Sequence, residues 1–240
     1  MPRFPVEEHM ISEENVTVTG SDYKHIVKVL RLRVGDEITM FDSSAREYDC
    51  VIETVGKREV RAAIKRTRNV STDPVLNITL MQGLTKGDKM DYIVAKATEL
   101  GVSRIVPVVT ERSQLRGAAK TGRWERIAVS ASKQCGRTKP PNIENTLSFQ
   151  EALNISNNNE LLVILHTNTE DKLKDFIKKS LQNTTNIILF IGPEGGFSQE
   201  EILLASEIGF LPLGLGPSVL RTETASLAVL SVIQFTYGDL

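Results

Sequence analysis

The stretch IILFIGPEGGFSQEE, residues 187–201, predicts how this chain folds. Its first five residues, 187–191, form a short apolar run without alternation, which is typical of a strand buried on both faces of a parallel sheet. A glycine-rich loop follows, where missing side chains let a ligand approach the backbone. Ser198 and Glu201 have the spacing of a capping box, so a helix should begin there and end near Gly209.

The next segment has the same organisation. Residues 211–215 are a short apolar run, and 222–237 carry a helical apolar pattern. Between them, Gly214, Gly216 and Pro217 indicate a turn. Ligands of open α/β sheets bind outside the carboxyl ends of the strands, so two successive glycine-rich loops favour a binding site over a pair of simple tight turns.

The ligand of these loops is not expected to be a phosphate. Neither loop has the Gly-Lys-Ser/Thr ending or the G-x-G-x-x-G pattern of phosphate-binding loops. The first loop instead carries Glu194, which repels an anion. An acidic loop rich in accessible backbone suits a nucleoside or a cationic ligand better.

Residues 1–72 are predicted to form a small β-rich domain. Strands are expected at 38–41, 48–54 and 60–66, separated by turn signals. One helix, capped by Ser21, interrupts them. Short strands around one helix favour a small barrel.

Residues 73–240 alternate strands and helices in the manner of βαβ units, after a boundary at Asp73-Pro74. Asp88 is predicted to cap a helix that ends at Gly101. Trp124 and Cys135 fall at helical spacing, which predicts core positions for both. Further strands are predicted at 76–82, 105–109 and 161–165, and a surface helix at 173–181.

Charge and composition bound the function. The 240 residues include 29 basic and 30 acidic side chains, a balance that argues against indiscriminate nucleic-acid binding. Residues 73–150 alone hold twelve basic and seven acidic side chains, and their basic stretch 104–139 is compatible with a local phosphate-binding face. For any single Lys or Arg in this stretch, a solvated helix surface is the favoured interpretation. Two cysteines and three scattered histidines predict neither a disulfide nor a metal site.

Nothing in the sequence predicts secretion or a membrane. The first ten residues contain Arg3 and two glutamates without an apolar core, and no apolar run reaches the length of a membrane span. We therefore expect a cytoplasmic protein.

Two motifs resemble a known family. IGPEGGFS at 191–198 and LGPSVLRTETA at 215–225 are similar to motifs of the SPOUT-class ribosomal RNA methyltransferases, specifically the RsmE-type 16S rRNA uridine-N3 methyltransferases. Further blocks that resemble this family lie at 25–36, 86–91, 99–102, 111–113 and 133–137. The resemblance implies an α/β fold: a mostly parallel SPOUT-type sheet with a C-terminal trefoil knot in residues 73–240, behind a PUA-like RNA-binding β-barrel in residues 1–72.

The resemblance also implies a cofactor and partners. S-adenosylmethionine would be the methyl donor, 16S rRNA or the small ribosomal subunit the substrate, and a homodimer the working form. The residues expected to bind the cofactor are Leu165, His166, Thr167, Ile191, Gly192, Pro193, Glu194, Gly195, Gly196, Leu215, Gly216, Val219 and Leu220. The residues expected to bind RNA are Arg3, Arg31, Arg112 and Arg137.

The chemistry suggests two catalytic candidates. Uridine must lose its N3 proton, and the negative charge then spreads over two carbonyl oxygens, which an arginine can stabilise with its fork of donors. Arg221 is the first candidate. Glu223 either orients Arg221 or takes part in proton removal, and its structural alternative is a first-turn carboxylate that complements the helix dipole. His166 equally allows a cofactor contact or a structural role.

Two other functions remain open at this stage. One is a non-catalytic RNA-binding or ribosome-assembly protein with the same architecture. The other is a nucleotide-binding enzyme of ordinary doubly wound topology, against which the missing phosphate motif counts.

Overall fold

The computed structural model describes residues 1–42, 44, 46–69, 74–114, 121–156, 161–180 and 185–240. These fall into two compact units. The N-terminal unit is Met1–Asp73 with Ser132–Lys139, and the C-terminal unit is Pro74–Ala131 with Pro140–Leu240. Asp73 of the predicted boundary lies outside the described residues, as does Leu181 at the end of the predicted surface helix.

The N-terminal unit contains a five-stranded sheet in the order β1-β3-β4-β5-β2. The strands are β1 (Arg3–Pro5), β2 (Asn15–Thr19), β3 (Glu37–Phe41), β4 (Arg46–Val55) and β5 (Glu59–Asn69). The three predicted strands are therefore confirmed, and the sequence analysis missed β1 and β2. Pairing is antiparallel except between β1 and β3. Two register shifts in the β4–β5 pair curl the sheet, as bulges do.

The predicted helix of this unit exists but begins differently. Helix α1 is Gly20–Lys24 with Thr19 at its N-cap, so the prediction that Ser21 caps it was wrong. The reason is that β2 continues through Thr19 and leaves the helix to start directly after the strand. A π-helical turn, His25–Val29, follows, in which Ile26 is fully buried while Val29 is 67% exposed.

The C-terminal unit contains a seven-stranded sheet in which every pairing is parallel. Its strands are β6 (Asn77–Gly83), β7 (Arg104–Val109), β8 (Asn142–Ile143), β9 (Leu147–Ser148), β10 (Leu161–Leu165), β11 (Asn186–Ile191) and β12 (Leu211–Leu213). The order is β12-β10-β11-β6-β7-β8, and β9 also pairs with β7. This confirms a mixed α/β fold with a parallel sheet.

Strand β11 is central and contributes side chains to both faces, as its unalternating sequence predicts. Ile187, Leu189 and Ile191 join one hydrophobic cluster, and Ile188 and Phe190 join the other. The first cluster includes residues of α2 (Lys89–Glu99), α3 (Thr121–Cys135), α5 (Leu173–Ser180) and α7 (Thr222–Tyr237). The second includes residues of α4 (Phe149–Leu153) and α6 (Gln199–Ile208).

The helix signals around the glycine-rich loops are confirmed. Ser198 and Glu201 form a capping box at the start of α6, and Gly209 ends that helix with φ of 107°. Helix α7 spans the predicted residues 222–237. Gly101 also has a positive φ, 81°, after the end of α2.

Of two predictions about helix residues, the one for Asp88 is confirmed in position only and the one for Cys135 was wrong. Asp88 occupies the N-cap position of α2, but its side chain makes no capping hydrogen bond, and Arg123 Nη2 lies 3.5 Å from its carboxylate instead. Cys135 is exposed because it is the last residue of α3, beyond the part of the helix that packs on the sheet. Trp124 is buried as predicted.

Gly83 provides a test of how closely β6 packs against the loop after β11. A Cβ at this position would lie 2.6 Å from the backbone nitrogen of Pro193, so Gly83→Ala must displace the loop after β11. We expect the free energy of unfolding to fall by about 2 kcal/mol or more. Gly122→Ala is the control, because a Cβ there meets no atom of the described residues closer than 4.0 Å and alanine favours the helix. Urea denaturation of both variants measures the difference, and equal stabilities would contradict the packing argument.

Candidate functional site

A cavity of about 530 Å³ opens at the carboxyl ends of three neighbouring strands of the C-terminal unit. Its wall is formed by the segments that follow β10, β11 and β12, together with Lys89 and Ala225. The wall contains all thirteen residues for which the sequence predicts cofactor contact, and Arg221. The volume is within the range of about 300–1,000 Å³ that small-molecule sites occupy.

The three glycines of the first loop serve different purposes. Gly196 alone of the three has a positive φ, 68°. A Cβ at Gly192 would lie 3.2 Å from the Gly196 backbone, and a Cβ at Gly195 would lie 3.0 Å from Arg112 Cβ. Close packing therefore restricts Gly192 and Gly195. At Gly216, in the second loop, a Cβ would meet nothing within 4 Å.

A buried amide joins the two glycine-rich segments. Gln82, at the end of β6, is fully buried. Its Nε2 donates to Thr222 Oγ1 at 3.1 Å and lies 3.5 Å from the Gly192 carbonyl oxygen, while its Oε1 accepts from Ser226 Oγ at 2.7 Å. Thr222 Oγ1 in turn donates to the Gly192 carbonyl at 2.6 Å. These bonds fix the start of α7 against the loop after β11.

Charged side chains lie together at the edge of the cavity. Lys89 Nζ is 2.8 Å from Glu194 Oε1 and 3.9 Å from Glu223 Oε2. Burial raises the pKa of Glu194, but hydrogen bonds from Lys89 Nζ and the Lys86 backbone N–H outweigh it and hold that pKa below its ordinary value. Glu194 is therefore ionised at neutral pH. Glu223 Oε2 is buried without a hydrogen-bond partner among the described residues.

The two catalytic candidates occupy different environments. Arg221 is exposed at the N-cap of α7 and lines the cavity. Among the described residues, no carboxylate lies within ion-pair distance of its guanidinium group. Glu223 is partly buried in the first turn of α7 and faces Lys89 rather than the cavity wall. Their roles remain predictions.

His166 and Arg112 lie beside the first glycine-rich loop. Arg112 Nη1 donates to the Gly195 carbonyl at 3.0 Å. Burial lowers the pKa of His166, and the positive charge of Arg112 lowers it further. The His166 imidazole is therefore neutral at physiological pH and is available as a hydrogen-bond acceptor or donor at the cavity wall.

The four arginines predicted to bind RNA differ in their surroundings. Arg3 pairs with Glu47 and lies over the Phe41 ring, 5.3 Å from its centroid. Arg137 is only 8% exposed. Arg31 is exposed and has a left-handed backbone conformation, with φ of 56°. These three belong to the N-terminal unit and Arg112 to the C-terminal unit.

Sequence analysis did not identify Gln82 or Lys89 as part of the site. Gln82 gave a signal that could have been used, because a lone amide at the end of an apolar strand must find buried partners. Lys89 lies in the block 86–91, but only the fold brings it to Glu194. Among the described residues, no three potential ligands gather into a metal site, and no helix is long and apolar enough to cross a membrane.

Comparison with known proteins gives the class. A family model described as "RNA methyltransferase domain" matches residues 71–234, and one described as "RNA methyltransferase PUA domain" matches residues 18–65. The first match covers more than half of the chain. The fold and the cavity thus define an α/β RNA methyltransferase.

The relatives define the family within that class. The chain is 31% identical to ribosomal RNA small subunit methyltransferase E of Bacillus subtilis over 228 residues, which are 91% of this chain and 89% of the relative. A crystal structure of the enzyme of that name from Neisseria gonorrhoeae, bound to S-adenosyl methionine, has a TM-score of 0.86 and 34% identity over 100% of this chain and 99% of that one. A putative methyltransferase of Legionella pneumophila, in complex with the bound cofactor SAM, has a TM-score of 0.84 and 35% identity over 99% and 98% of the two chains. The chain belongs to the ribosomal RNA small subunit methyltransferase E family.

The buried amide of Gln82 can be tested by substitution. Gln82→Leu removes the donor and acceptor that join Gly192, Thr222 and Ser226, so we expect a loss of about 2 kcal/mol in the free energy of unfolding. In Gln82→Glu, the introduced carboxyl faces carbonyl oxygens, which raises its folded pKa. Its contribution to stability is then present below the unfolded pKa of about 4.3 and is lost as pH rises towards the folded pKa.

Denaturation midpoints at pH 5 and pH 8 separate the two variants. The midpoint of Gln82→Glu should fall relative to the wild type as the pH rises from 5 to 8. The midpoint of Gln82→Leu should depend on pH in the same way as that of the wild type. The exposed Gln150 is the control, and Gln150→Leu should cost no more than about 0.5 kcal/mol. Equal costs at Gln82 and Gln150 would contradict the proposed role of the amide.

Proposed function

We propose that this chain uses S-adenosylmethionine to methylate N3 of a uridine in 16S ribosomal RNA. The observation that carries the proposal is the cavity at the carboxyl ends of β10, β11 and β12, which is walled by glycine-rich loops without a phosphate-binding motif. Membership of the ribosomal RNA small subunit methyltransferase E family supports the same reaction.

The residues of the cavity fit this cofactor. Accessible backbone around Gly216 leaves room for a flat nucleoside, because in the described part of the chain no atom lies within 4 Å of the point where a side chain would start. The ionised Glu194 favours a cationic ligand over an anion. We propose that the thirteen wall residues predicted from sequence hold the cofactor, largely through their backbone groups.

The bound cofactor would supply a methyl group on a positively charged sulfur, whose S–C bond breaks as the N–C bond to the base forms and whose bonding electron pair stays on sulfur. The protein must then orient the base and stabilise the charge left by loss of the N3 proton. Arg221 is proposed to donate to the base carbonyl oxygens, since it lines the cavity and no carboxylate of the described residues lies within ion-pair distance of its guanidinium. Glu223 is proposed to assist through its charge or as a proton acceptor.

RNA recognition is proposed to involve both units. The curled N-terminal sheet would act as a PUA-like RNA-binding barrel of residues 1–72, and residues 73–240 as the methyltransferase domain with a C-terminal trefoil knot. Arg31 and Arg112, which are exposed, are the most accessible of the four proposed RNA contacts, whereas Arg3 must leave or share its pairing with Glu47. An enzyme acting on N3 requires an unpaired or flipped nucleotide.

We further propose that the working form is a homodimer in the cytoplasm, acting on the small ribosomal subunit or its RNA. A second copy would double the number of phosphate contacts available to a chain whose overall charge is near zero. Sedimentation or light scattering measures the oligomeric state directly.

Gly216→Val tests the position of the cofactor. The added side chain starts in open space, so the thermal midpoint should stay within about 2 °C of the wild type, while its branches project into the cavity and should weaken S-adenosylmethionine binding at least tenfold. Gly87→Asn, at a positive φ outside the cavity, is the control for substituting a loop glycine. Undiminished affinity in Gly216→Val would remove the second loop from the cofactor site.

Arg221→Ala tests the reaction. Small ribosomal subunits lacking the modification are incubated with enzyme and cofactor, and 3-methyluridine is measured by mass spectrometry of digested RNA. The wild type should form it, and the variant should lose about 100-fold or more in turnover with little change in RNA or cofactor affinity, because the charge it stabilises develops during the reaction. Unchanged turnover with weakened cofactor binding would make Arg221 a binding residue, and no product from the wild type would favour an RNA-binding protein without catalysis.

A further inference from the structure

Three charged side chains from separate elements meet at the edge of the cavity. Lys89 comes from the start of α2, Glu194 from the loop after β11, and Glu223 from the first turn of α7. Lys89 lies between the two carboxylates, 2.8 Å from Glu194 and 3.9 Å from Glu223. We call these residues the rim triad. One lysine with two carboxylates leaves one net negative charge.

Of the two carboxylates of the rim triad, Glu194 is the one that faces the cavity, together with Lys89. Glu194 lines the cavity and its side chain is 28% exposed, whereas Glu223 does not line it and is 18% exposed. Hydrogen bonds from Lys89 Nζ and from the Lys86 backbone N–H, at 3.2 Å, fix the Glu194 carboxylate in place. Lys89 and Arg221 are the cations of the same wall, so the effect of Glu194 on a ligand is local and depends on how near its carboxylate lies to the ligand's charge.

We propose that Glu194 is a specificity-determining residue that makes the cavity prefer the positively charged methyl donor over the uncharged thioether left after transfer, with Lys89 attenuating that preference. The inference rests on the proposed function. Donor and product share the adenosine, the carboxylate and the ammonium group, and differ by one methyl group and one positive charge on sulfur. A carboxylate near that sulfur attracts the donor and loses its attraction when the methyl group leaves, so the reaction itself weakens retention of the product.

The size of the effect follows from Coulomb's law. Unit charges separated by several ångströms near a protein surface attract with an energy that corresponds to about tenfold in affinity. Lys89, which also lines the cavity, opposes this attraction because its Nζ lies 2.8 Å from Glu194 Oε1. The two residues should therefore shift the preference in opposite directions.

Titration calorimetry with S-adenosylmethionine and S-adenosylhomocysteine measures the preference. We express it as the Kd of S-adenosylhomocysteine divided by the Kd of S-adenosylmethionine, so a higher ratio means a stronger preference for the donor. Glu194→Gln keeps the shape of the side chain and should lower the ratio about tenfold, mainly by weakening the binding of S-adenosylmethionine. Lys89→Met should raise it, and Lys89→Arg should leave it near the wild-type value. Sinefungin, which carries an ammonium group in place of the methylated sulfur, should follow the donor rather than the product.

Salt provides an independent measurement. Because the preference is electrostatic, the ratio should fall as ionic strength rises in the wild type and should be flat in Glu194→Gln. The pair Lys96–Glu99 on α2, also 2.8 Å apart, supplies matched controls that change the net charge equally. Lys96→Met and Glu99→Gln should leave the ratio unchanged, and thermal denaturation checks that every variant is folded.

The outcomes separate this inference from the proposed function. A wild type that binds neither ligand contradicts the cofactor assignment itself. A wild type that binds both, with a ratio that Glu194→Gln or Lys89→Met leaves unchanged, overturns only the charge preference. An equal change of the ratio in Glu99→Gln would show that overall charge rather than Glu194 sets it, and would also overturn the inference.

Discussion

The cavity depends on one buried amide. Gln82 is fully enclosed and uses both ends of its side chain, with Nε2 towards Thr222 and the carbonyl oxygens after β11, and Oε1 towards Ser226. It therefore connects three segments that are distant in sequence. Leaving such groups unpaired in a low-dielectric interior is costly, so the amide restricts the loops to one arrangement. Gly83 adds the steric half of this constraint, since only a glycine lets β6 approach Pro193 so closely.

The two units use their charges differently. In the N-terminal unit several arginines are held by carboxylates, including Arg68 with Asp49 at 2.7 Å and Arg46 with Asp42 at 3.2 Å. Burial and the hydrogen bond to Asp42 raise the pKa of Tyr48 to about 12, so the Tyr48 hydroxyl stays protonated and keeps donating to Asp42. In the described part of the C-terminal unit, three charged side chains line the cavity: Lys89, Glu194 and Arg221. Single substitutions there should act on ligand charge rather than on folding.

Much of the fold could be predicted from local sequence. The strand 187–191, the capping box at Ser198 and the helix 222–237 were all recognisable because each signal is local: burial pattern, cap chemistry and periodicity. The predicted wall residues also lie together, because parallel strands end at one edge of a sheet. Lys89 and Gln82 were missed, since their partners are more than a hundred residues away and only tertiary structure brings them together. The Ser21 cap failed because a strand ending at Thr19 set the start of the helix instead.

Arg221 breaks a local rule, which supports a functional reason for its position. An N-cap residue usually accepts a hydrogen bond from the first turn, and a positive charge there opposes the helix dipole. Arg221 makes no side-chain capping hydrogen bond, and the hydroxyl of the adjacent Thr222 donates to the Gly192 carbonyl instead. Glu223 in the same turn offsets part of the cost, and it does so from a partly buried position beside Lys89. Residues usually follow local rules such as helix capping, and the exceptions are concentrated at functional sites. An arginine at an N-cap that lines a cavity is therefore best explained by a contact with a ligand.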